Sequence, residues 1–133
     1  MSLSRITPQP EAGYIEVVID GHSDWMSAVQ RIERIAEAVD ELGVSRVLMD
    51  FRRVDMHIAV VEAPEVARFF DVFANRPLSF GIIRAGNERA DATIDAFASS
   101  MAKLGHDIEY LDGSAAAEVW IDQGCKRPRR RAG

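Results

Sequence analysis

The sequence predicts an α/β protein, a mainly parallel sheet of four to five strands alternating with about four helices. Two observations predict it. Short apolar runs with a period of two alternate with longer segments whose apolar residues recur every three or four positions. The chain also has the substance for one core: 133 residues, 47% apolar and 28% charged, with a formal charge of −5. A domain of this length buries roughly two thirds of its unfolded surface.

The elements follow in order. Arg5 to Thr7, ahead of the turn-prone Pro8 to Gly13, reads as an optional edge strand. Tyr14 to Asp20 places Ile15, Val17 and Ile19 on one face and Glu16 and Asp20 on the other, the pattern of a strand with one buried face. Asp24 to Leu42 is helical: Trp25, Val29, Ile32, Ala36 and Val39 form a stripe that Ala28, Ile35 and Leu42 widen, with Ser23 as N-cap and Gly43 as stop. Arg46 to Phe51 is a second strand. Ala63 to Asn75 is a helix carrying Val66, Phe69, Phe70 and Phe73, with Pro64 in its first turn. Leu78 to Ile83 is a third strand, in which Gly81 leaves space above the sheet. Asn87 caps a helix through Leu104 with Ile94, Phe97, Ala98, Met101 and Leu104 on its apolar face. Asp107 to Leu111 is the last strand, and Ser114 opens a terminal helix with Val119, Trp120 and Ile121.

Charge divides the chain unevenly. Five of the 16 basic residues lie in the last eight positions, leaving 11 against 21 acidic residues and a body charge of −10. An acidic body is a poor nucleic-acid surface, and the tail has no aromatic residue to stack on bases. The expected organisation is a disordered or expression-derived start at 1–4, one domain over 5–122, and a disordered basic tail over 123–133. The apolar runs are too short to span a membrane and no secretory pattern opens the chain, so a cytoplasmic protein is expected. The single cysteine, Cys125, has no disulfide partner within the chain, and no Cys/His spacing marks a zinc site. No metal or cofactor is expected.

The order of elements, with Met49-Asp50-Phe51 closing the second strand and Ala117-Glu118-Val119-Trp120-Ile121 in the terminal helix, resembles the SpoIIAA-like family, relatives of the STAS domains. The resemblance covers about residues 5 to 122. It implies a β/α superhelix with strands in nearly sequential order and a role in binding rather than catalysis. Signalling members carry a phosphorylatable Ser or Thr after the strand matching Arg46 to Phe51. Here Arg52 to Ala59 holds no hydroxyl, which argues against a phospho-switched anti-sigma antagonist. The chain looks closer to the branch grouped with Sec14-like lipid-transfer domains, which implies an apolar ligand.

Parallel sheets collect ligands at the carboxyl ends of their strands. Residues expected there are Asp20, His22 and Asp24, then Asp50, Arg52, Arg53, Asp55 and His57, then Arg84, Gly86, Asn87 and Glu88, then Asp112. His22 and His57 are the pair that could converge, with Asp20, Asp24 or Asp55 as acid partners, whereas His106 falls at the other end. No nucleophile elbow is present, and Leu111-Asp112-Gly113 at the end of the last strand offers no lysine to complete a receiver-type acidic pocket. Arg52, Arg84, Gly86 and Asn87 are candidates for an anion at a helix N-terminus. The structural alternative is a capped helix with Arg84 paired to a nearby acid.

The apolar candidates are Met56, Ile58, Val60, Val61, Phe69, Phe70 and Phe73. They read either as a broad core contact with an early helical turn, or as a movable gate over an apolar pocket or a partner's surface. The leading expectation is a non-enzymatic binding module for a small apolar or amphipathic ligand, a lipid among them, or for a protein partner. The alternative is an anion- or phosphometabolite-handling sensor or enzyme. A homodimer through an open sheet face bearing Tyr14, Val18 and Leu48 is a third expectation.

Overall fold

The computed structural model describes residues 2–126. Five strands, β1 (Ser2–Gln9), β2 (Tyr14–Ser23), β3 (Arg46–Met56), β4 (Ser79–Ile83) and β5 (Asp107–Leu111), form one sheet in the order β1-β2-β3-β4-β5. β1 is antiparallel to β2, and every other pair is parallel. Four helices intervene: α1 (Trp25–Leu42), α2 (Ala63–Ala74), α3 (Glu88–Lys103) and α4 (Ser114–Lys126). The edge strand expected at Arg5 to Thr7 is the longer β1. α4 carries the last described turn past 122 to Lys126, with Cys125 in it; the basic residues from Arg127 onward lie outside the described residues.

The main core fills the sheet face under α1, α2 and α3. Ile15, Val17 and Ile19 of β2 meet Val47 and Met49 of β3, Phe80 and Ile82 of β4, and the apolar stripes of the three helices. Trp25, Leu42 and Leu104, expected on those stripes, are exposed instead, because each sits at or just beyond a helix end. A second, smaller core lies on the opposite face, where Trp120 of α4 covers Tyr14, Leu48, Ile83 and Leu111. Tyr14 and Leu48 are therefore internal, which removes them from the open face expected to support a dimer; Val18 is half-buried.

Gly81 belongs to this second core. A β-carbon there would come within 2.9 Å of both Leu111 Cδ1 and Trp120 Cε2. The space that glycine leaves is occupied by an indole ring of the protein itself, not by room for a ligand. Arg46 holds that ring from above, its guanidinium carbon 3.8 Å from the ring centre and its Nη2 donating to the Trp120 carbonyl.

β2 and β3 run past the expected strand ends at Asp20 and Phe51. Their pairing steps from Val18↔Asp50 to Asp20↔Arg53, so Phe51 and Arg52 together oppose Ile19. This extra residue is a β-bulge, and it reverses side-chain parity. Val47, Met49 and Phe51 face the helices before it, Met56 after it. The exposed Arg52 and Arg53 at the crossover make a continuing strand look like a polar loop.

Candidate functional site: an apolar cavity and the strand-end histidines

The bulge carries β3 far enough to roof the end of the main core. A cavity of about 40 Å³ opens there among α1, β3, α2 and α3. Its walls are apolar, including Ile32, Ile35, Met49, Phe51, Met56, Ile58, Val66, Phe70 and Phe97, and three polar side chains join them: Ser23, Arg31 and Thr93. By the measure in which one water needs about 10–15 Å³, the space takes roughly three water-sized groups.

The polar lining is ordered by the local sequence. Ser23 was the expected cap of α1, but Asp24 takes that role: its carboxylate accepts the Ser27 N–H at 2.9 Å while its own N–H donates to Ser27 Oγ. Ser23, the last residue of β2, instead turns inward and accepts a hydrogen bond from Arg31 Nη2 at 3.2 Å. Arg31 is only 6% exposed. Burial, with the nearby charge of Arg34 adding to it, lowers its pKa to about 10, so it stays cationic at neutral pH. Thr93 Oγ1 donates to the Ile58 carbonyl at 3.0 Å. Arg31 and Thr93 were absent from the sequence expectation. Their signal was present all the same: position 31 lies on the Ala28–Ile35 stripe and position 93 on the Ala90–Phe97 stripe, each a polar residue on a buried helical face.

Of the apolar candidates, Met56, Ile58 and Phe70 line the cavity. Phe69 is half-buried against the main core, while Phe73 packs on it from outside, ring centres 4.7 Å apart and planes tilted by 53°. Val60 and Val61 form a short 3₁₀ turn on the surface, Val61 being 84% exposed. Ala59 N–H donates to Glu62 Oε1 at 2.8 Å, so this turn is tied to itself and joined to α3 through Ile58 and Thr93.

The anion candidates are engaged within the chain. The N–H groups of Ala85 and Gly86 donate to the Asp91 carboxylate at 2.9 and 3.2 Å, and Asn87 Oδ1 caps the Ala90 N–H. Arg84 pairs with Asp95 at 3.2 Å and lies over the Tyr110 ring; burial, then the Asp95 carboxylate, pushes the Tyr110 hydroxyl up to about 12. Arg52 pairs with Asp50 at 2.8 Å. Burial raises the Asp50 pKa, and the Arg52 hydrogen bonds outweigh it, leaving the carboxyl below its ordinary value. An external anion at the α3 start would have to displace the Asp91 carboxylate.

His22 and His57 do converge. Their rings stack with centres 4.2 Å apart at 28°. His22 Nε2 lies 3.0 Å from Asp24 Oδ2, and His57 Nε2 lies 3.1 Å from Asp55 Oδ2. The Ser27 N–H and then His22 hold the Asp24 carboxyl at about 2. His106 is a structural group at the other end: Nδ1 accepts the Leu78 N–H at 3.0 Å, which leaves the proton on Nε2 for Asp71 at 2.8 Å.

No helix among the described residues is long and apolar enough to cross a membrane. No family model and no curated protein matches the sequence. Solved structures do match. The anti-sigma factor antagonist SpoIIAA in its unphosphorylated form superposes with a TM-score of 0.60 at 10% identity, over 92% of this chain and 97% of that one. The phosphorylated Bacillus cell fate determinant SpoIIAA gives 0.53 at 14% identity, over 92% and 98%. The sequential sheet, its antiparallel first strand and its four helices are therefore the SpoIIAA, or STAS, fold.

Proposed function

We propose that this chain is a non-enzymatic binding module that takes a small apolar or amphipathic molecule into the cavity under Met56 and Ile58. The observation that carries this reading is an apolar chamber inside a main core that also holds one buried cation, Arg31. Apolar walls supply affinity and a few fixed polar groups supply orientation, the usual division of labour in ligand sites. The chamber as it stands admits a few-atom group. A longer chain enters when the 57–62 segment swings outward, which requires release of the Thr93–Ile58 hydrogen bond. The self-tied 59–62 turn moves as one piece in that opening.

A phospho-switched antagonist role does not follow from the fold. Between Arg52 and Ala74 there is no serine or threonine to phosphorylate. A protein partner is the second reading, favoured by the exposed Val60 and Val61 beside the gate and by the likeness to SpoIIAA, an anti-sigma factor antagonist.

The test is a thermal-melting panel of fatty acids of increasing chain length and of detergents. A ligand that binds only the folded state stabilises it by about 2.7 kcal/mol at a hundred times its Kd, so the melting temperature rises with ligand concentration. A flat response across the panel rejects the ligand reading. The partner reading requires a co-purifying protein that Val61→Asp abolishes.

A further inference from the structure

The strand-end histidines carry an inference independent of the cavity. β2 and β3 are held in register through His22↔Asp55 and Ser23↔Met56, and the His57 N–H continues the pairing by donating to the Ser23 carbonyl at 2.8 Å. Ser23 and Met56 line the cavity, so the alternation of a strand sends His22 and Asp55 to its other side. Among the described residues, His22, Asp55 and His57 each bring one donor atom to within 4.8 Å of the others.

We propose that His22, His57 and Asp55 form a binding site for a divalent transition-metal ion of the zinc class. Donors about 2.0–2.1 Å from a tetrahedral zinc ion stand about 3.3 Å from one another. Asp55 Oδ2 and His57 Nε2 already stand 3.1 Å apart. The remaining adjustment is a small shift of the half-exposed His22 ring that keeps Nε2 on Asp24 and leaves Nδ1 for the ion, on a backbone that the paired strands fix. Asp24 completes the arrangement. Its carboxylate, 3.0 Å from His22 Nε2 and anchored by the Ser27 N–H, orients that ring as outer carboxylates orient metal-bound histidines. The two carboxylates, Asp24 and Asp55, also balance a doubly charged ion. Imidazole donors select zinc, copper or nickel over magnesium and calcium. The site lies at the carboxyl ends of parallel strands, and His57 also borders the groove under Val60, so an ion there would sit beside the 57–62 segment.

The experiment is calorimetric titration of zinc into chelator-treated, tag-free full-length protein. The expected result is saturable binding of one ion per chain, no response to magnesium or calcium, and weakening by more than about tenfold in His22→Ala and in His57→Ala. Both side chains are exposed enough for the variants to fold, and a measurement on the unaltered protein guards against any that do not. In its NMR spectrum, zinc should move the imidazole resonances of His22 and His57 and leave those of His106 in place. Absence of saturable binding, binding retained in the His22→Ala/His57→Ala double variant, or imidazole shifts confined to His106 would each overturn the site.

Discussion

Thr93 Oγ1 donates to the Ile58 carbonyl at 3.0 Å, joining α3 to the segment that follows β3. The bond is buried and spans 35 residues of sequence. Thr93→Val keeps the shape and removes the donor, leaving a buried carbonyl unsatisfied at a cost of about 1–3 kcal/mol. Urea unfolding should show that loss, and amide exchange should quicken over 57–62 more than in β4. Unchanged exchange over 57–62 would mean that this bond does not hold the gate.

Arg31 should set the polarity of the ligand. At neutral pH it presents a cation to an apolar chamber, so a fatty acid should stabilise the protein more than the alcohol of equal chain length. Arg31→Met keeps the stem and removes the charge. The exchange gives up the buried hydrogen bond to Ser23, so the variant should melt lower than the parent. Below that melting temperature it should bind the alcohol as before and lose the preference for the acid. A preference that survives in Arg31→Met would place the head group elsewhere.

Gly81→Ala tests the second core. The new methyl group would meet Leu111 and Trp120 at 2.9 Å, and the indole is fixed by Arg46 above and by the edge-on Tyr14 ring at 6.0 Å. Overpacking of this kind costs about 1–3 kcal/mol. Trp120→Leu in the same chain should recover part of the loss, since the two sites are in contact and their effects should not add. Melting curves of the two single variants and the double variant decide it.

Much of this was legible in the residues. Ile15, Val17 and Ile19 alternate, Ala28, Ile32, Ile35 and Val39 recur at helical spacing, and all are buried as those periods require. Local pattern failed where a long-range partner decides the outcome. Arg52 and Arg53 look like loop because the bulge that reverses parity exists only in the pairing of β3 with β2. Gly81 looks like empty space because its occupant, Trp120, arrives from almost forty positions away. Likewise Ser23 and Asp24 are both good caps by type, and the two-way bond with Ser27 selects Asp24. The meeting of His22 and His57 was open in the sequence for the same reason: it depends on how far the two strands run.

Acid should weaken the fold through Asp24 and Asp50. Both carboxyls are held below their ordinary values in the native state, Asp24 at about 2 by the Ser27 N–H and His22, Asp50 by Arg52 against the pull of burial. A depressed carboxyl contributes stability above its unfolded pKa of about 3.9 and loses it as pH falls through the folded value. The melting temperature should thus drop between about pH 4 and pH 2. Asp24→Asn preserves the cap, since Asn serves there about as well, while deleting the titration. Its acid limb should be shallower, with little change at neutral pH; an identical limb would assign the acid sensitivity to other groups.

Phe97 joins the fold to the proposed function, because it belongs both to the main core and to the cavity wall. Its ring lies 6.3 Å from that of Phe70, which in turn meets Phe80 edge-on at 5.4 Å. Phe97→Ala should cost about 3–5 kcal/mol, the transfer term plus the enlarged void. Phe73→Ala, on the next turn from Phe70 but 43% exposed, should cost far less. The void matters for binding as well as for stability. Enlarged apolar cavities stay dry and accept apolar guests, so a small aromatic probe should restore more of the lost stability in Phe97→Ala than it adds to the parent. Equal effects of the probe on both proteins would mean that the space beside Phe97 collapses when the ring is removed, and that the chamber does not persist without its walls.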